Sequence, residues 1–528
     1  MITPSRVGLP VVAFMLAVSY GSVDKIAAQQ PALPLGGVCT PAAFLTFEHG
    51  RLAGVDWVDY RPGQVHTRAV LTQSRVIDAT IDLRPDQTAA HSSAILSLAG
   101  EPPDAPRTRD LGEGAVYWSP MIVSSVEQAV ARARILNAPS SKIPGASLYS
   151  DVRSEILVER LASTDWVVRY QDRRYDVLTD DQGCLLAATL PDFGVTIERR
   201  AGFPAAAYPL WAPYAAPPDG AYRSVDVTTQ ASAGRVLSGT LTTPIRTGAT
   251  PAVVLITGLS PHERNNGAPP WMPFRDIADA LTRAGIAVLR VDDRGVGTST
   301  GDRSSMTIFD KADDVRTEIA WLRSRPSIDP RRIALVGYSE GGLIAPMVTA
   351  KDPALAGVIT LAGPGVPGQE VARYQVEQPI LRGSAHLSEP ERKTLVEKAL
   401  ADALRDLTPH ESSFLAIDPL AFDRAVRCPV LVVQGGADAD VPVRSAERIA
   451  AAMRGAGNQD VTVRIFPGLS HSLLPDPDGL SSGWAGLPGF LTAPELLDEV
   501  TRWAVSKLLP VHPAADRPKR GRSGAPQR

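Results

Sequence analysis

Cysteine is scarce in this chain. Three in 528 residues exclude a disulfide-dense scaffold and a four-cysteine zinc module. Charge of one sign is missing too: 54 Lys and Arg stand against 57 Asp and Glu, a net −3, so there is no global basic footprint for nucleic acid. Long apolar runs are absent. The longest near the start, Val7 to Val18, falls short of the roughly 20 residues that span a bilayer as a helix. No repeat at a period of about 20–50 residues is visible. There is no H-E-x-x-H, no P-loop and no cluster of metal ligands, so no cofactor and no metal are expected. What is present is ordinary for a globular protein: 44% hydrophobic and 21% charged residues. That excludes a disordered chain, a coiled-coil rod and a polytopic membrane protein.

The chain reads in five parts. Residues 1–28 have the features of a secretory leader: Arg6, the apolar run and a small-residue cleavage site at Ile26-Ala27-Ala28. A periplasmic or secreted protein with no membrane span after leader removal is the expectation. Export permits disulfides, and Cys39 with Cys184 is the candidate pair. Cys428 reads as a small core thiol. Residues 39–200 form a strand-rich α+β region in which Asp165–Tyr170, Tyr175–Thr179 and Cys184–Leu190 read as a meander. A helix over about 126–136 is expected behind a capping box of Ser125 and Gln128. Residues 201–220 are an Ala/Pro-rich linker that should not pack as a regular element. Residues 221–510 change texture, and 511–528 are a basic, Pro-rich tail for which disorder is expected.

In the fourth part short apolar runs alternate with helical stretches. Ala252–Thr257, Ile286–Val291, Ile333–Tyr338, Gly357–Leu361, Val430–Gln434 and Val461–Phe466 are strand candidates. Helices fit at about 273–284, 310–324, 340–350, 444–454 and 494–508. Near-continuous apolar strands separated by helices imply a mostly parallel sheet covered on both faces. Stretches 224–229 and 235–242 suit an antiparallel edge. An insertion at about 363–427 exceeds what a simple crossover needs, and S-E-P-E from Ser388 to Glu391 opens a helix in it.

The decisive segment is Gly337-Tyr338-Ser339-Glu340-Gly341, a G-x-S-x-G pattern with an apolar strand before it and an apolar helix after it. A hydroxyl nucleophile needs a base, and the base needs a carboxylate. Of the histidines after Ser339, His386 and His410 fall in the charged insertion and His512 in the tail. His471 follows a strand and is the expected base. The stretch 434–442, QGGADADVP, follows another strand. Asp438 is the expected acid, with Asp440 its rival.

These residues resemble the α/β-hydrolase superfamily, nearest to bacterial carboxylesterases of the dienelactone-hydrolase and prolyl-oligopeptidase-like groups. The resemblance rests on GYSEGG (337–342), LVVQGGADADVP (431–442), FPGLSH (466–471), VLITGLSPHERNNG (254–267) and AVLRVDDRGVGTSTG (287–301). It implies an α/β-hydrolase fold with a helical cap, a Ser339-Asp438-His471 triad, and an oxyanion hole from the backbone N–H groups of Leu259 and Glu340. Thr257 stands where the family usually has His. His262, Glu263 and Arg264 either line the pocket or form a solvated loop, and Asp293 to Gly297 is a structural turn at the pocket rim. The implied activity is cleavage of small to medium soluble carboxylic esters through an acyl-enzyme. The alternatives are a serine peptidase or amidase, and a non-catalytic binding protein on a hydrolase fold.

Overall fold

The computed structural model describes residues 39–509 apart from 152, 172, 232–233, 260, 385, 477–478, 481–486 and 488. The leader (1–28) and the basic tail (511–528) lie outside the described residues.

Among the described residues, thirteen strands between Ala42 and Arg200 make one sheet, β1 (Ala42–Glu48) through β13 (Val195–Arg200). Strands consecutive in sequence are neighbours except β6 and β7, the two ends of the order, and the sheet is joined in the middle where β1 pairs antiparallel with β13. The cause is a period of two. In the strand Gln64–Leu71, Val65, Thr67 and Ala69 are buried while Gln64, His66 and Arg68 between them are half-buried; only Val70 breaks the alternation. The expected meander forms as β10 (Asp165–Tyr170), β11 (Arg173–Thr179) and β12 (Leu185–Leu190). Helix α1 (Val123–Leu136) buries Val126, Ala129, Val130 and Ala133, a helical stripe, against this sheet. It begins a turn earlier than the expected capping box. The Ser125 hydroxyl donates to the Ser119 and Ile122 carbonyls, and Gln128 Oε1 accepts from the Tyr117 N–H, so neither side chain caps the helix. Cys39 and Cys184 form a disulfide that ties the starts of β1 and β12 across the intervening β13.

The linker packs more firmly than its composition implies. Tyr208 and Trp211 are buried, the Trp211 N–H donates to the Gln73 carbonyl, and the Ser74 hydroxyl donates to the Trp211 carbonyl. Two aromatic anchors override the Ala/Pro background.

The second sheet has eight strands. They are β14 (Tyr222–Gln230), β15 (Val236–Pro244), β16 (Thr250–Ile256), β17 (Ala287–Val291), β18 (Ile328–Tyr338), β19 (Gly357–Leu361), β20 (Val430–Gly435) and β21 (Val461–Phe466). Their order is β14-β15-β17-β16-β18-β19-β20-β21, antiparallel at the β14 and β15 edge and parallel from β17 onward. Helices α2 (Pro273–Arg283), α3 (Ile308–Arg323), α4 (Gly341–Thr349), α9 (Ser445–Gly455) and α10 (Pro494–Leu508) contribute to two apolar cores that contain this sheet's strand residues. Strands β16 and β19 are buried at every position, as a sheet covered on both faces requires. The insertion folds as α5 (Gly368–Gly383), α6 (Glu389–Ala403), α7 (Pro409–Leu415) and α8 (Pro419–Asp423). Ser388 and Glu391 form the expected capping box of α6. No helix of the described residues is long and apolar enough to cross a membrane.

The two sheets share packing. Leu474, Leu487 and Phe490, which follow β21, belong to the apolar core of the first sheet. The buried Glu48 carboxylate accepts the backbone N–H groups of Phe490 and Leu491.

Candidate active site

Strand β18 ends at Tyr338 and α4 begins at Gly341, leaving Ser339 on the turn between them with φ +53°. That angle is uncommon for a residue with a side chain and stores strain at a site of chemistry. The flanking glycines are a packing necessity. A side chain at 337 would run into the Gly341 backbone, and one at 341 into the Ile256 carbonyl. The turn is thereby pressed against the end of β16.

His471 lies just beyond the end of β21 and Asp438 just beyond β20. The three side chains meet: Ser339 Oγ is 3.0 Å from His471 Nε2, and His471 Nδ1 is 2.9 Å from Asp438 Oδ2. The Asp438 carboxylate is fully paired. Its other oxygen accepts the N–H groups of Asp440 and Val441, both at 2.8 Å, and Gln434 Nε2 donates to Oδ2 at 2.7 Å. Of the two acid candidates, Asp438 therefore holds the imidazole. Asp440 has its carboxylate within 4.8 Å of the same cluster without hydrogen-bonding the ring. Tyr338 braces His471, its hydroxyl donating to the His471 carbonyl at 3.0 Å with the two rings 5.2 Å apart.

Burial alone would push the His471 imidazole down. The Asp438 charge and hydrogen bond, with Asp440 adding to them, outweigh burial and lift it to about 9. Asp440 is itself raised by burial and by Asp438, with His471 pulling the other way.

Leu259 and Glu340 flank Ser339. A side chain at Gly258 would stand 3.3 Å from the Ser339 Cβ, so the Leu259 loop passes directly beside it. Among the described residues neither the Leu259 nor the Glu340 N–H is taken by another group. The loop is held from behind. Asn266 Oδ1 accepts the Gly258 N–H, Lys311 Nζ donates to the Gly258 carbonyl at 2.7 Å, and His262 Nε2 donates to the Leu259 carbonyl at 2.9 Å. Thr257, in the place of the family's usual His, donates its hydroxyl to Asp293. Asp293 also takes the His262 N–H and the Lys311 ammonium. Of the stretch 262–264, His262 and Arg264 turn inward while Glu263 stays exposed. Burial pushes the His262 imidazole down, and Arg264 is buried against Asp292. The turn at 293–297 has the expected structural role, with Arg294 paired to Asp314.

Sequence reasoning passed over Asn266, Lys311 and His410, because their roles arise from contacts far apart in the chain. His410, set aside with the insertion, is buried and hydrogen-bonds the Glu340 carboxylate at 2.7 and 2.9 Å. Among the described residues two groups bring three possible metal-ligand atoms together. In Cys39, Glu127 and Cys184 the sulfurs are joined to each other, and in Asp438, Asp440 and His471 the ring and one carboxylate are already paired.

Residues 253–482 match the model of the alpha/beta hydrolase family. Esterase EstD of Thermotoga maritima is 26% identical over 280 residues, which cover 51% of this chain and 65% of that protein. The chain thus spans a little under two thirds of that relative's length. A thiohydrolase of Arthrinium phaeospermum is 33% identical over 135 residues, 25% of this chain and 41% of the other. Among solved structures, an esterase of Pyrococcus furiosus aligns with a TM-score of 0.40 at 18% identity, covering 56% of this chain and 94% of the esterase.

Proposed function

We infer, for a chain that carries an alpha/beta hydrolase domain, a serine hydrolase that cleaves carboxylic esters through an acyl-enzyme. The observation that carries this reading is the unbroken relay Ser339 Oγ, His471 Nε2, His471 Nδ1, Asp438 Oδ2, set on a strained turn. Similarity to an esterase adds to it.

The chemistry follows from the geometry. Neutral His471 takes the Ser339 proton as Oγ attacks the ester carbonyl. Asp438 fixes the tautomer, so that Nδ1 carries the proton and Nε2 is free to accept, and it stabilises the imidazolium that forms. The N–H groups of Leu259 and Glu340 receive the oxyanion. Such a donor contributes roughly 10²–10³ in rate because it is already oriented when charge develops. His471 then protonates the leaving alcohol. Water attacks the acyl-enzyme by the same route in reverse.

Small to medium soluble esters suit this site better than lipid droplets. The cap helices α5 and α6 carry many Glu, Lys and Arg, and α6 buries only Val396 along its length. Export of the protein is part of the proposal, supported by the leader features and by the Cys39–Cys184 disulfide, which an oxidising compartment sustains.

The test is hydrolysis of a chromogenic panel pairing short to long acyl esters with aminoacyl and peptidyl anilides. Ester turnover lost in Ser339→Ala is the expected result. Anilide turnover alone would move the protein to the amidases and peptidases, and turnover that survives Ser339→Ala would overturn the mechanism. Mass determination of the exported protein should place its first residue at Gln29.

A further inference from the structure

A buried polar cluster beside Ser339 has no part in the proton relay. Its members are Glu340, His410 and Lys311, all buried. Glu340 follows Ser339 on the turn between β18 and α4, the elbow, and its N–H is one of the two proposed oxyanion donors. Its carboxylate turns away from Ser339 to meet His410 of α7, in the cap. Both contacts of His410 Nε2 are to carboxylate oxygens, which only accept, so Nε2 carries the proton. His410 Nδ1 has no hydrogen-bond partner among the described residues, so nothing competes for the ring's orientation. Lys311 Nζ stands 3.7 Å from Glu340 Oε2 and donates to the Gly258 carbonyl and to Asp293. One cluster therefore pins both peptide segments that carry the proposed oxyanion donors: the elbow through Glu340, and the Leu259 loop through Lys311.

A buried carboxylate is costly unless it is hydrogen-bonded and paired. Without His410, Glu340 keeps among the described residues one ion-pair partner, Lys311 at 3.7 Å, beyond direct hydrogen-bond distance. The side chain would then seek another partner and take its own peptide unit with it. His410 shares the attachment of α7 with other contacts, so its loss loosens the helix without releasing the cap. Phe414 sits in the apolar core, the Ile308 N–H donates to Ser413 Oγ at 3.0 Å, and a side chain at Gly368 would run into the Phe414 carbonyl.

We propose that His410 is a positioning residue, a latch carried by the cap that holds Glu340 and so fixes the elbow's oxyanion donor when the cap is seated. This rests on the reading of Ser339 as nucleophile. The cap then acts on the chemical step as well as covering the substrate. Seating of α7 aligns the donor, and lifting it frees Glu340.

The experiment compares His410→Gln and His410→Phe in the full chain, with Ser339→Ala as control. Gln places an N–H where His Nε2 donates; Phe fills the space without a donor. His410→Phe should lower kcat about 10–100-fold, the scale expected when a reacting group is misplaced by about 1 Å, with KM within about 3-fold of wild type. His410→Gln should recover most of the loss. Hydrogen exchange of the α7 amides should accelerate in the Phe variant and not in the Gln variant. Unchanged kcat in His410→Phe, or equal losses in the two variants, would overturn the latch. If esters are not cut, or are still cut by Ser339→Ala, it is the proposed function that fails, and exchange alone decides the latch. Faster α7 exchange confined to the Phe variant keeps it, and unchanged exchange removes it.

Discussion

Asp440 shows how much the chemistry of one residue depends on its neighbour two positions away. Both carboxylates favour the protonated form of His471, yet only Asp438 hydrogen-bonds the ring. Since the base must be neutral to act, kcat/KM should climb with pH and level off only near the raised value of about 9. Asp440→Asn removes a negative charge that favours the imidazolium, so its rising limb should move to lower pH while the maximum changes little. A pH profile of both proteins checks this, and an upward move would contradict it. Asp438→Asn should cost far more, about 10⁴-fold in kcat, because the wrong tautomer is then favoured. If Asp440→Asn proves the more damaging of the two, Asp438 is not the acid. Ser339, Asp438 and His471 were legible in the sequence because each follows a strongly apolar strand in an order the resemblance supplies. The Glu340 to His410 contact was not, since nothing in a charged insertion marks one histidine as facing inward.

At the scale of elements, periodicity carried far where burial is two-sided and failed where side chains turn to non-local partners. Strand β19 and helix α10 fall on their expected limits because their apolar residues face packed neighbours. Ser125 and Gln128 have the spacing of a cap, but the first bonds back to the preceding turn and the second reaches the Tyr117 N–H, so α1 starts at Val123. The disulfide is an element-scale brace of the same non-local kind. It closes a separation of 145 residues between β1 and β12 inside the apolar core of the first sheet. Cys184→Ser should lower stability by about 2–5 kcal/mol. Guanidinium denaturation monitored by Trp fluorescence measures it. A change below about 1 kcal/mol would mean the sheet holds these strands without the bridge.

For the whole molecule, the first and second sheets are coupled through described residues that follow His471. The Trp271 indole N–H donates to the Ser472 carbonyl, while the Thr72 hydroxyl and the Arg75 guanidinium bond the carbonyls of Pro270 and Pro269 just before it. Glu48 of β1 accepts the N–H groups of Phe490 and Leu491, and Asp276 of α2 accepts that of Thr492. The first sheet thus contacts the segment that follows His471, a link hidden from the sequence because Glu48 and Phe490 lie 442 residues apart. Burial raises the Glu48 carboxyl to about 7 against the pull of its two N–H donors, and Glu127 of α1, the helix packed on the same sheet, is likewise raised by burial to about 7. Between about 4.5 and about 7 the folded protein keeps these protons while the unfolded chain releases them. Stability is therefore fully present below the unfolded value and is lost as pH rises through the folded one. Glu48→Gln should flatten that decline without abolishing it, since Glu127 still contributes, which urea midpoints at about pH 5 and pH 7.5 resolve. Glu48→Ala should do something different. It strands two buried N–H groups next to the His471 loop, at a cost of about 1–3 kcal/mol each, so it should lower both the urea midpoint and kcat at every pH. If Glu48→Ala leaves kcat intact, the first sheet stabilises the hydrolase without positioning its base.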